Sequence, residues 1–383
     1  MRRTSVRVLL VFAAGSTLAT VAVPANQESS LREAAARIGL LVGAAVDPSH
    51  FHEADYVDTL AREFNMIEPE NVMKWRSTEP ARGRFSFERG DQVVAFAEAH
   101  QMKVRGHNLL WFSHNPPWLA EGRFTPSELL DIMHRHIARV AGHYAGKVFA
   151  WDVVNEAFDA RGGLTHSIWF DRPGTGLSSQ GTAYIEQAFR WAREADPRAL
   201  LFYNDYGAEG LNAKSDAIYA MVRDFKRRGV PIDGVGLQMH LSLQDAAGLS
   251  SLDANISRLA ALGLQVHITE LDVGLPLRTG DQNPSESSNP TLASSLSTGV
   301  DAAGARQQAD LYGLVAGVCA RNPGCTAFQT WGFTDRYSWI PAFTRGKRGA
   351  ALLFDVDYKP KLCYDAVLKA FEGVTQPPVR LGR

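Results

Sequence analysis

Two carboxylates in matching settings give the first chemical signal. WDVVNE (151–156) closes an apolar stretch with an amide beside Glu156, and VHITELDV (266–273) sets Glu270 at a similar place. Alternation along an extended strand puts Asp152, Val154 and Glu156 on one face. A carboxylate among buried neighbours needs a partner or a task. For a single glutamate, half of an ion pair is the ordinary outcome. Two that meet over one bond can do more: one acid protonates a leaving oxygen, and the other carboxylate meets the positive charge developing on a sugar carbon. At about 5–5.5 Å apart, the second attacks directly and the anomeric configuration is retained. Close carboxylates cannot both ionise freely, so one keeps its proton toward neutral pH.

The surrounding residue types suit a neutral polyol. Asn71, Asn155 and Gln238 can donate to and accept from hydroxyls, whereas Lys74 only donates. Trp111, Trp331 and Trp339 offer flat apolar faces with a polar edge. Trp75, Trp151 and Trp191 are expected in the core or a strand wall.

Such groups converge only if the chain delivers them to one place. After residue 30, apolar runs alternate with amphipathic, helix-like segments. The runs are LLVGAAV (40–46), FNMIE (64–68), MKVRGHN (102–108), VFAWDVVNE (148–156), ALLFYNDY (199–206), DGVGLQMHL (233–241), QVHITELDV (265–273) and CTAFQTWGF (325–333). Eight such repeats point to a single-domain α/β fold, a (β/α)8 TIM barrel. An open doubly wound sheet is the alternative, but no glycine-rich phosphate loop follows the first run. In a parallel barrel the reactive groups collect at the C-terminal strand ends. The polar residues fall there: Glu70 and Asn71, His107 and Asn108, Asn155 and Glu156, Asn204 and Asp205, Gln238 and His240, Glu270 and Asp272, then Trp331.

Composition narrows the partner. The 383 residues carry 40 basic and 41 acidic side chains, a formal net charge of −1. No basic field for nucleic acid is present, and a neutral ligand is the simpler expectation. Residues 1–25 read as an export signal: cationic MRRTSVR, an apolar stretch, then small residues at Val23-Pro24-Ala25. The catalytic domain is expected over 26–373, followed by a short disordered tail at 374–383. The mature protein is expected to be secreted or periplasmic, with no membrane segment once the signal is removed. Of three cysteines, Cys319 and Cys325 flank a turn and suit a disulfide in that compartment; Cys363 is left as a buried thiol. His50 and His52 allow a rival reading as a metal hydrolase with His107 and His240, but no partner acid appears at Trp331. Neither metal nor cofactor is expected. A non-catalytic sugar-binding barrel would keep the tryptophans without needing both glutamates.

Taken in order, ENVMKW (70–75), GHNLLW (106–111), WDVVNE, YNDY (203–206), GLQMHL (236–241), ITELDV (268–273) and TWGFTDRYSW (330–339) resemble the family 10 glycoside hydrolases, secreted endo-1,4-β-xylanases, over about Leu31 to Phe371. The resemblance implies a retaining mechanism with Glu156 as acid/base and Glu270 as nucleophile. It further implies that Asn155 holds the sugar 2-hydroxyl, His240 orients Glu270 and Asp152 pairs with His107. Glu70, Asn71, Lys74, Gln238, Trp331 and Trp339 would line the glycone side; Trp111 and His107 also bind substrate, with Asn204 and Asp272 in support. The implied substrates are xylan and xylo-oligosaccharides, acted on by a monomer. Two departures stand out: Phe112 where the family commonly has His, and a long Ser/Asn-rich stretch at 278–299, expected to border one end of the cleft.

Overall fold

The computed structural model describes residues 29–277 and 301–381. The expected export signal and the 278–299 stretch lie outside the described residues. Eight strands form the barrel: β1 (Leu41–Val46), β2 (Met66–Pro69), β3 (Lys103–Trp111), β4 (Ala150–Asn155), β5 (Leu200–Asp205), β6 (Gly234–Leu237), β7 (Gln265–Pro276) and β8 (Cys325–Thr330). Each pairs in parallel with its sequence neighbour, and β8 returns to β1 with Leu41 opposite Ala327. The ring is closed. A helix follows every strand, from Ala54–Glu63 after β1 to Leu362–Glu372 after β8. Local chemistry starts some of them cleanly: Thr125 and Glu128 form a capping box ahead of Pro126–His143, with proline at its first position. Apolar helix faces and outward strand positions merge into one core.

Inside the ring the filling is partly ionic. Arg105 on β3 is fully buried and forks onto Asp152, with Nε 3.2 Å from Oδ2 and an ion pair to Oδ1. Glu68 and His267 complete this cluster. Glycine makes room for two crossing side chains. A Cβ at Gly236 would lie 2.1 Å from Asn204 Oδ1, and one at Gly43 would lie 2.7 Å from Gln329 Oε1.

Simple alternation fails where it matters most. The ladder shifts register between His107 and Leu110, between Asp152 and Val154, and between Ile268 and Leu271. Each irregularity re-aims the residues beyond it. Asp152 therefore faces the buried Arg105 and His107, Val154 joins the apolar core, and Glu156 leaves the strand with φ +56°. The three residues do not share a face.

Cys319 and Cys325 are bonded, with Cα atoms 5.1 Å apart. Closing so small a loop is worth about 2 kcal/mol on a chain-entropy account. Cys363 is a buried thiol. The tail departs from expectation over its described part. Arg380 is buried, and its guanidinium donates to carbonyls of Ile38, Cys319, Ala320, Asn322 and Cys325. Five carbonyls left at the ends of a helix, a turn and a strand make a socket for one cation, which composition alone did not reveal. Among the described residues, no helix is long and apolar enough to cross a membrane.

Candidate active site

Glu156 stands just past β4. Its carboxylate accepts from Trp111 Nε1 at 2.9 Å, Gln238 Nε2 at 3.0 Å and Asn155 Nδ2 at 3.2 Å. Glu270 lies within β7 and is 3 % exposed. It accepts from Asn204 Nδ2 at 2.7 Å and His240 Nε2 at 3.2 Å. Three amides join the two acids: Asn155 Oδ1 accepts from Asn204 at 2.9 Å and from Gln238 at 3.2 Å. Thr269 Oγ1 donates to Asn204 Oδ1 at 2.8 Å, fixing which end of that amide faces Glu270.

The same neighbours split the acidities. Burial pushes the Glu156 carboxyl above its usual value, and the Glu270 charge adds to this against hydrogen bonds from Gln238 and Trp111. Burial alone would also raise Glu270. The hydrogen bond from His240, the charges of His107 and His240, and the Asn204 amide overturn it and hold Glu270 at about 2. Although burial disfavours its charge, His240 is pushed well above the usual histidine range, because Asp272 and Glu270 flank the ring. Asp272 accepts from His240 Nδ1 at 2.9 Å and from Trp339 Nε1 at 2.8 Å. The surroundings thus favour the protonated form of Glu156 and the ionised form of Glu270.

A further wall carries Glu70, Asn71, Lys74, Trp331 and Trp339. Lys74 Nζ donates to Asn71 Oδ1 at 3.0 Å and sits 5.1 Å and 5.4 Å from the ring centres of Trp111 and Trp331. Burial lowers the Lys74 pKa against the pull of Glu270, Glu70, Glu156 and Glu68. Burial and the Asp47 charge raise Glu70 to about 7, opposed by Lys74. His107 is buried under this wall, its Nδ1 2.9 Å from Asp152 and 3.2 Å from Glu68, and its ring edge-on to Trp331. Phe112 is exposed and meets Trp111 edge-on, while His114 stacks on the same indole at 4.8 Å.

Not every polar strand end joins the pocket. Asp205 turns away to Lys214 at 2.7 Å and to the Tyr203 hydroxyl. The rival histidine set does not assemble. His50 meets Glu53 at 3.0 Å and stacks on Tyr337 at 3.6 Å, His52 is exposed, and His107 and His240 serve the carboxylates above. Glu68, His107 and Glu270 do approach within 4.8 Å of one another, but Arg105 and Lys74 already supply positive charge beside them. The sequence reading missed Glu68, Arg105, Thr269 and Gln329. Their signal is a charged or polar residue at an inward position of a strand whose outward neighbours are apolar.

The chain as a whole is similar to known proteins. The family model described as glycosyl hydrolase family 10 matches residues 30–370. Endo-1,4-beta-xylanase B of Thermotoga neapolitana is 39% identical over 91% of this chain and 93% of its own length. The Agaricus bisporus endo-1,4-beta-xylanase is 36% identical over 85% and 89%. The solved xylanase 10B of Thermotoga petrophila in complex with xylobiose is 40% identical, with a TM-score of 0.80 over 91% of this chain and 98% of that one. With a family match that spans residues 30–370 and relatives 36–40% identical over most of their own length, the chain belongs to glycosyl hydrolase family 10.

Proposed function

We propose that this chain is an exported, retaining endo-1,4-β-xylanase, with Glu156 as acid/base and Glu270 as nucleophile. One observation carries the reading: the two carboxyls lie in a single amide-linked cluster, and their pKa values are driven in opposite directions. Glu270, ionised, attacks the anomeric carbon while protonated Glu156 gives its proton to the departing glycosidic oxygen. The resulting glycosyl ester is opened by water, from which Glu156 takes a proton as Glu270 leaves. Once Glu270 is esterified its negative charge is gone, so Glu156 ionises more readily and can act as base.

Asn155 and Asn204 support this cycle by facing the space between the acids, where a sugar 2-hydroxyl would lie. Glu70, Asn71 and Lys74 offer further hydroxyl partners, and Trp331 and Trp339 frame the glycone side. The xylan substrate is supported by relatives named endo-1,4-beta-xylanases and by a neighbour solved with xylobiose. Incubation with beechwood xylan, carboxymethylcellulose and a mannan, followed by sizing of the products, tests the reading. Short xylo-oligosaccharides from xylan alone are expected; release of monosaccharide only, or preferred cleavage of mannan, would refute it.

A further inference from the structure

Glu209 lies beyond β5, outside every motif that suggested the site. It is 8 % exposed, and among the described residues no cation lies within ion-pair distance of it. Its Oε1 accepts instead from two backbone N–H groups, Gly207 at 3.0 Å and Met239 at 3.3 Å. Both residues have left-handed backbones, with φ +67° and +65°. Glycine adopts that conformation freely, whereas methionine is strained there. A buried Met239 in this state needs something to hold it.

Met239 is the residue between Gln238 and His240. The sixth strand stops at Leu237 and pairing resumes at His240–Ser242, so the left-handed turn is the joint that aims both side chains. Its other backbone groups are bound as well: Gln238 N donates to Asp205 O at 3.0 Å, and Gln238 O and Met239 O accept from Glu270 N at 3.0 Å and Asp272 N at 3.3 Å. Gln238 then donates to Glu156, and His240 to Glu270. One joint sets a hydrogen bond on each reacting carboxylate.

We propose that Glu209 is a positioning residue for the reaction, clamping the Gln238-Met239-His240 joint through the Met239 N–H. The inference rests on the roles proposed above for Glu156 and Glu270. Without the clamp, the Met239 N–H is left unpaired and the strained turn relaxes toward ordinary strand geometry. Gln238 and His240 then move off their carboxylates by a fraction of an ångström to an ångström, a displacement that costs about 10–100-fold in turnover. Of the residues expected to line the glycone side only Gln238 belongs to this joint; Asn71, Lys74 and Trp339 do not touch Glu209, so most of the substrate binding is preserved.

The test compares Glu209→Ala, Glu209→Asp and Glu209→Gln with Glu270→Ala in the full chain, reading kcat and KM on xylotetraose well below each melting temperature. Glutamine keeps an acceptor oxygen at the same reach; aspartate withdraws it by one methylene and serves if the alanine variant does not fold. Expected are a kcat loss of about 10–100-fold with KM within about threefold for Ala and Asp, and recovery to within about threefold of the parent for Gln. Parent-like kcat in folded Ala or Asp variants overturns the proposal, and so does Gln as impaired as Ala, which would mean that charge and not the acceptor matters. Full turnover in Glu270→Ala would fault the carboxylate assignment itself; a dead Glu270→Ala beside a fully active Glu209→Ala would fault the clamp alone.

Discussion

Replacing His240 by phenylalanine isolates the force that keeps the nucleophile ionised. The imidazole lies edge-on to Trp339 and Trp331, with ring centres 5.0 Å and 6.2 Å away; a phenyl ring can occupy that space without either nitrogen. Glu270 sits at about 2, against an ordinary value of 4.5, a gap worth roughly 3 kcal/mol. Burial pushes the other way, and of the four groups of effects that lower it, His240 supplies both a hydrogen bond and a charge; His107 and the Asn204 amide supply the rest. Without His240, the Glu270 pKa should climb by about 1–2 pH units. Glu270 attacks only when ionised, so raising its pKa removes activity from the acid side first. The assay is kcat/KM for an aryl xylobioside from pH 2.5 to 8, whose acid limb reports Glu270 in the free enzyme. The parent should hold its rate down toward the lowest pH reached, and the variant should lose it between about pH 3 and 5. An unmoved acid limb in the folded variant would refute the claim that His240 sets the charge of Glu270.

Other perturbations separate the remaining roles. Glu156→Ala should retain partial activity on aryl xylosides, whose leaving group departs without a proton, and lose nearly all activity on xylan; equal loss on both would contradict the acid/base role. Trp111→Phe removes the 2.9 Å donor to Glu156, which favours the ionised form. Its loss should move the alkaline limb upward by less than about one pH unit, since one hydrogen bond nets about 1 kcal/mol. Arg380→Ala should lower stability by about 3 kcal/mol in chemical denaturation with unchanged kcat, because it binds the N-terminal start of β8 beside the disulfide, whereas Glu156 stands past the C-terminal end of β4; an unchanged denaturation midpoint would show that its socket is idle.

The strands were legible because apolar runs bounded by turns have few other uses. Every barrel strand falls within or beside the run that announced it. The site was legible through types and position: Glu156, Glu270, Asn155, Asn204, Gln238 and His240 all meet. Three things were not visible. Bulges obey no sequence periodicity, so the shared face of Asp152 and Glu156 was wrong although both residues take part in the polar network. Arg105 and Glu68 sit inside a barrel where average statistics place apolar groups; their pairing is a tertiary fact. Glu209 and Arg380 act through backbone N–H and C=O groups, and a sequence does not show which of those lack partners.

The central claim is that Glu270 captures the sugar carbon. A 2-deoxy-2-fluoro xylobioside bearing a good leaving group slows release of the glycosyl ester more than its formation, so the bound sugar can be weighed and located by peptide mass spectrometry. The account predicts one fluoroxylobiosyl unit per chain, on Glu270, with none attached in Glu270→Ala. A label on any other residue, or an active enzyme that releases product of inverted anomeric configuration, would contradict it.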